Sequence, residues 1–238
     1  TVAVDDANSD DDFDSVADET VSATTTDDDV AGFTIVESDG STEVDESGTT
    51  DTFTVVLDAE PASDVVLTIS SDDTGEATVN SPLTFTSANW DTPQTVTITG
   101  VDDNLVDGDQ ASTITISVDA ANSEDGFDGL NDETVSATTT DDDVAGFTIV
   151  ESDGSTEVAE SGTTDTFTIV LDAQPTSDVV MSVSSSDTAE TTATNTLTFT
   201  STNWDTPQTV TVTGVDDGII YGTITCTFTV AIIDANSD

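Results

Sequence analysis

The 238-residue sequence contains no Lys, no Arg and no His against 51 Asp and Glu, so its formal net charge is −51. Without basic side chains there is no phosphate clamp, which argues against nucleic-acid binding. There is no polybasic face for anionic lipid either. No side-chain salt bridge can form within the chain. The commonest general base, His, and the Schiff-base amine of Lys are both missing, which argues against an enzyme. The single cysteine, Cys226, excludes an internal disulfide framework and a thiolate metal cluster. No segment approaches the roughly 20 apolar residues that span a bilayer, so membrane insertion is not expected. No secretory leader is visible, but the sequence opens in mid-pattern, so processing or truncation explains this equally well. Asn-x-Ser/Thr sequons are absent.

Strong acidity with few aromatics is a composition of disordered chains. Here 34% of the residues are hydrophobic, and they fall in short alternating runs separated by Asp, Gly, Asn and Ser. That is the pattern of half-buried strands. Order is therefore expected, on condition that cations are present.

The chain is a tandem repeat. Residues 18–44 reappear unchanged 114 residues later as 132–158. The same offset carries Phe53 onto Phe167, Trp90 onto Trp204 and Gly100 onto Gly214. Residues 1–10, 115–124 and 229–238 are three versions of one segment. A period of this length is a whole domain of immunoglobulin-like size, too long for one solenoid repeat. Eight strands are expected in a period: 33–37, 41–44, 51–58, 65–70, 83–86, 95–100, 112–118 and 134–140, with a polar loop between the fourth and fifth. No window carries a sustained helical period. On this phase residues 1–30 are the tail of a preceding repeat, or a donor segment, ending in a strand at 20–26. Residues 31–143 form one complete sandwich, and residues 144–238 a second that lacks its last strand. Either the chain is an excerpt of a longer array, or the missing strand comes from the tail of another chain, as in donor-strand assembly.

Aspartates gather in loops and domain ends, while outward strand positions are mostly Thr, a residue of high β-propensity that adds no charge. Asp27, Asp28 and Asp29 stand together, as do Asp141, Asp142 and Asp143; Asp102, Asp103, Asp107 and Asp109 crowd another loop. Consecutive carboxylates repel unless a hard cation sits among them, and Ca²⁺ takes 6–8 oxygens from such groups. Absence of His and near-absence of Cys argues against zinc or copper. A solvated, salt-adapted surface is the competing explanation. The segment Asp6 to Asp12 lacks the Gly and Glu of an EF-hand loop. Trp90 and Trp204, each just before a Pro, fit packing at the end of a small core better than ligand stacking.

The string Asp-Asp-Asp-Val-Ala-Gly-Phe at 27–33 and 141–147 resembles the boundary between Calx-β domains, the calcium-binding sandwiches of sodium–calcium exchangers and many bacterial surface proteins. Val44-Asp45-Glu46-Ser47-Gly48 resembles an early segment of that family, and Gly100-Val101-Asp102-Asp103 its acidic loop. Asn89-Trp90-Asp91-Thr92-Pro93-Gln94 resembles a loop of bacterial adhesin versions. The resemblance covers the whole period. It implies an all-β fold: tandem immunoglobulin-like (Calx-β-like) β-sandwich domains in a linear array. It also implies structural Ca²⁺ at one end of each sandwich. In the complete domain the ligands would be Glu46, Asp72 or Asp73, Asp102, Asp103, Asp107, Asp141, Asp142 and Asp143. The second domain offers Glu160, Asp187, Asp216 and Asp217, but Tyr221 stands where Asp107 was, and a weaker site is expected there.

These features point to a structural module of an extracellular or cell-surface adhesin or filament, stiffened by calcium at acidic junctions. Its expected partners are neighbouring repeats or identical subunits end to end. Two alternatives stand beside it: a filament subunit that polymerises by strand exchange, and an acidic mineral-binding or salt-adapted surface protein.

Overall fold

The computed structural model describes residues 1–220 and 222–233, and every structural statement below refers to these. The chain is all-β: sixteen strands and no helix. In residues 31–143 (domain 1) the strands are β1 (Phe33–Glu37), β2 (Thr42–Asp45), β3 (Thr50–Leu57), β4 (Val65–Ser71), β5 (Ala77–Val79), β6 (Leu83–Phe85), β7 (Gln94–Gly100), β8 (Gln110–Val118) and β9 (Glu133–Thr140). They form two sheets, ordered β1-β3-β7-β5 and β2-β9-β8-β4-β6. All pairs are antiparallel except β2 with β9.

Alternation builds the sandwich. Phe53, Val55 and Leu57 of β3 and Val96 and Ile98 of β7 face Leu67, Ile69, Ile114, Ile116, Val135 and Ala137 of the other sheet, and all are buried. Each fully buried aliphatic or Phe side chain contributes about 1.5–3 kcal/mol. Thr fills the outward positions between them. Trp90 packs against the edge of this core, and its carbonyl accepts the Leu57 N–H at 3.1 Å; Trp204 and Leu171 repeat the arrangement.

Domain 2 has β10 (Phe147–Glu151), β11 (Thr164–Leu171), β12 (Val179–Ser185), β13 (Thr191–Ala193), β14 (Thr196–Phe199), β15 (Gln208–Gly214) and β16 (Phe228–Ile232). Its first sheet, β10-β11-β15-β13, copies that of domain 1, but its second has three strands, β14-β12-β16, where domain 1 has five.

Three expectations need correction. The polar stretch before β6 contains a further strand, β5, because Ala77 is buried and its neighbours pair with β7. Residues 20–26 are not a strand: apart from an isolated bridge between Val2 and Glu19, residues 1–30 pair with nothing as strands and are exposed almost throughout. Residues 155–158, which repeat the β2 region, are also irregular. In domain 1 the β2 edge is held by β9; among the described residues domain 2 has no such partner.

Candidate metal centre

Strand direction gathers the acids of domain 1 at one end of the sandwich. β2 and β9 run parallel with Asp45 opposite Thr140, so Glu46 and Asp141 leave the two strand ends side by side. The Glu46 N–H then donates to the Thr140 carbonyl at 3.2 Å. Antiparallel pairing brings the start of β8 and the end of β4 to the same end, and β7 delivers the acidic loop there after Gly100. Gly100 is required for this approach, since a Cβ on it would lie 2.1 Å from the Asp45 carbonyl oxygen. The loop is tied to the triplet: the Gly108 N–H donates to the Asp141 carboxylate at 2.8 Å. Asp143 N–H donates to the same carboxylate, also at 2.8 Å.

Carboxylate oxygens of Glu46, Asp142 and Asp143 all lie within 4.8 Å of one another. That is about twice a Ca²⁺–oxygen distance, the widest separation of two ligands on one ion. Glu46 is 1% exposed. Its Oε2, the Oδ2 of Asp143 and the Oε2 of Glu76 are buried without any hydrogen-bond partner. A buried carboxylate oxygen left unpaired is costly, and nothing else in a chain without basic groups can neutralise it. Burial first, and then the charges of Asp103, Asp141 and Glu76, push the Glu46 carboxyl up to about 7; the Asp142 N–H bond opposes this weakly. Asp143 is raised by burial, then by Asp141, Asp142, Asp103 and Asp102. Glu76 is raised by burial, then by Asp107, Asp103, Asp73 and Asp141. The residues therefore fit a divalent, oxygen-seeking cation. Glu46, Asp142 and Asp143 would be its innermost ligands, with the acidic loop beside them. Such an ion would supply charge neutralisation and a fixed geometry.

Neither a family model nor a curated protein sequence matches the chain. Among solved structures it is similar to the apo-form CBD1 domain of Calx, at 14% identity over 47% of this chain and 98% of that one, with a TM-score of 0.32. It is similar to the calcium binding domain CBD12 of CALX1.1, at 14% identity over 75% of this chain and 74% of that one, with a TM-score of 0.35. Domains 4–9 of the surface layer protein SbsC are also similar, at 17% identity over 84% of this chain and 30% of that one, with a TM-score of 0.30. The fold class stands on the strand pairing itself.

The structure separates Asp72 from Asp73. Asp72 is taken up by the Thr113 N–H, which donates to it at 2.7 Å and holds its carboxyl below the usual range. Asp73 accepts from Gly75 N–H at 2.9 Å and faces the acidic cluster closely enough to raise Glu76. Glu76 itself is absent from the expected ligand set. The repeat carried a signal for it: Asp73 and Glu76 recur as Asp187 and Glu190, whereas Asp72 becomes Ser186. In domain 2, Glu160, Asp187, Asp216 and Asp217 are all exposed and do not come together as a metal-holding group. Tyr221 lies outside the described residues. The tail triplet Asp27, Asp28 and Asp29 brings three carboxylates together but is exposed, with no buried partner.

Proposed function

We propose that the chain is a structural module of an extracellular, cell-surface adhesin or filament, in which calcium fixes the joint between successive β-sandwiches. The observation that carries this reading is the contact made by the acidic loop. Between Asp103 and Asp107, Leu105 forms a parallel bridge with Gln174 in the β11–β12 turn of domain 2. The Gln174 N–H donates to the Asn104 carbonyl at 2.6 Å, and the Val106 N–H to the Gln174 carbonyl at 3.3 Å. An ion held by Glu46, Asp142 and Asp143 neutralises the acids on both sides of this loop, and Asp143 stands four residues before β10. With calcium, the loop and the linker are pinned together; without it, the carboxylates repel and the joint loosens. No catalytic step is proposed for these carboxylates, which cluster as like charges at a domain end.

A mineral-binding surface would present rows of Asp on strand faces. The outward faces here carry Thr, as at Thr95, Thr97 and Thr99 of β7, which favours the joint. Small-angle scattering with calcium and with chelator tests the proposal. The maximum dimension is expected to be sharply defined with calcium and distributed in chelator. The same profile in both conditions overturns it.

A further inference from the structure

The chain enters and leaves domain 1 at opposite ends. Phe33 of β1 pairs with Leu57 at the end of β3, and Thr50 at the start of β3 pairs with Thr99 near the end of β7. β7 runs on into the acidic loop, so Phe33 lies at the end of the sandwich away from the acids. β9 finishes at Thr140 and passes directly into Asp141, Asp142 and Asp143. The backbone continues beyond both points, through Gly32 on one side and Val144 on the other. Tension along the chain therefore pulls domain 1 lengthwise, parallel to its strands.

The load falls on the first two strands and the last. β1 pairs only with β3, antiparallel over five residues. β2 pairs only with β9, and this is the only parallel pair among the strands of the described residues. That direction decides how the pair is strained. Pull on the entering chain draws β2 toward the Phe33 end, and pull on the departing chain draws β9 toward the acidic end. The two strands are forced past one another, with every bond between them loaded together. A hairpin pulled at its two open ends would instead release its bonds one at a time.

The pair is built to resist sliding. Thr42 and Val44 of β2 are buried beside Ala137 and Thr139 of β9, which are buried as well. A slip of one residue would turn these side chains outward and bring the outward ones in. The Thr140 hydroxyl divides its hydrogen bond between the Val44 carbonyl, at 3.3 Å, and the Asp45 carboxylate, at 3.2 Å. The other edge of β2 is also held. The Glu43 N–H donates to the Asp51 carboxylate at 2.9 Å, and the Asp45 N–H to the Thr49 hydroxyl at 2.7 Å. Just past the strand ends, Glu46 follows β2, Asp142 and Asp143 follow β9, and their carboxylate oxygens lie within 4.8 Å of one another.

We propose that domain 1 is a load-bearing clamp, with β2 and β9 as its shear joint and a divalent cation among Glu46, Asp142 and Asp143 as the lock on that joint. The lock rests on the calcium reading above; the joint does not. β1 stands ahead of β2 in the path of the load, but its inward side chains are only half-buried, so it yields first and the load passes to β2. The ion would tie the two sliding strands across the plane on which they part. Calcium then sets the strength of the repeat as well as the angle of its joint.

Constant-force stretching of the 238-residue chain, held by its two ends, tests the proposal. Domain 1 is recognised by the length released when residues 31–143 unfold. At a hundredfold excess of calcium over its Kd, the lifetime of domain 1 under force should lengthen by up to about a hundredfold over that in chelator, since the ligands part when the joint does. Glu46→Gln should remove that gain. Thr140→Val deletes the hydroxyl between β9 and β2 and keeps the branched shape; it should shorten the lifetime about fivefold, with or without calcium. Ile69→Val, in the core of β4 and away from the joint, is the contrast. It should lower stability in denaturant by a similar amount. Its lifetime under force should stay nearly unchanged, because β4 is still in place when the joint breaks.

Equal shortening by Thr140→Val and Ile69→Val overturns the clamp, as does a lifetime that Thr140→Val leaves unaltered. A lifetime that falls with Thr140→Val but ignores calcium, in a chain whose melting temperature also ignores calcium, supports the joint and overturns both the lock and the calcium reading. A melting temperature raised by calcium together with an unaltered lifetime keeps calcium at the domain end and overturns the lock alone.

Discussion

The two sandwiches share most of their sequence, yet domain 1 places nine strands around its core and domain 2 seven. Of the four residues of β2, Thr42, Glu43 and Val44 recur unchanged as Thr156, Glu157 and Val158 while Asp45 becomes Ala159, and only the first set forms a strand. The heptapeptide Thr-Val-Ser-Ala-Thr-Thr-Thr is the body of β9 at 134–140 and irregular at 20–26. Local sequence is identical in the second pair and differs at one position in the first, so the difference comes chiefly from the neighbour. β9 pairs seven residues with β8 and four with β2. Where it is missing, the β2 copy loses its partner and the β8 copy keeps only its second half, as β16. β-propensity is a fit to a pleated surface and needs the surface to be there. The same strand carries the Asp triplet to Glu46, so closing the sheet and gathering the acidic cluster are one event.

The largest effect should come from turning domain 1 into a copy of domain 2. Val135→Asp puts a charge into a core position that is 5% exposed. It should cost more than about 3 kcal/mol, read as loss of the more stable transition in denaturant unfolding. Val21→Asp, the same change in the same heptapeptide, should leave the unfolding of the monomer unaltered. Equal effects of the two would erase the distinction between paired and unpaired copies.

Next in size is the metal response. Calcium at a hundredfold excess over its Kd should stabilise domain 1 by about 2.7 kcal/mol for each site. Glu46→Gln removes the buried carboxylate of the proposed site and should abolish most of that gain, while raising the stability of the calcium-free domain. Glu160→Gln should do neither in the monomer. Thermal melts with calcium, magnesium and chelator check this, and a calcium gain that survives Glu46→Gln would move the site elsewhere.

Much of this was legible in the residues. Alternation at Phe53, Val55 and Leu57 marked β3 and its inward face. The acids of the triplet and the loop could be named before their convergence was seen. The choice between Asp72 and Asp73 could not be made locally, because it depends on Thr113, 41 residues away across the sheet. Glu76 stands out only through its recurrence as Glu190, since a single Glu in a polar stretch carries no periodicity. Only the pairing of β5 with β7 turns it inward. The irregularity at residues 20–26 is the same in kind: a good strand sequence forms no strand where it has nothing to pair with.

A third contrast is in pH. The Glu46 carboxyl is raised from 4.5 to about 7 in the folded domain, chiefly by burial. Between those values the folded state holds a proton that the unfolded state has released. The contribution of Glu46 to the calcium-free domain is therefore fully present below about pH 4.5 and should be lost as pH rises through 7. Saturating calcium favours the ionised carboxylates and should remove or reverse the slope. Glu46→Gln should flatten it without metal, measured as the melting temperature between pH 5 and 8.

The smallest expected effect bears on the position where the repeats themselves disagree. Asp72 accepts the Thr113 N–H at 2.7 Å, and Ser186, its counterpart, accepts the Thr227 N–H through its hydroxyl at 2.9 Å. One hydrogen bond is thus made by a carboxylate in domain 1 and a hydroxyl in domain 2. Asp72→Ser should transplant the second solution into the first domain. The charged bond is the stronger of the two, but the carboxylate adds repulsion to an already negative end, so the net cost should stay within about 1 kcal/mol. Calcium affinity should be unchanged, because that carboxylate is already committed to the backbone. Asp73→Ser, one residue along, keeps the fold and removes a charge that faces Glu76, so it should weaken calcium binding severalfold in a titration. A calcium affinity that drops with Asp72→Ser and not with Asp73→Ser would mean that the Thr113 bond gives way to the ion.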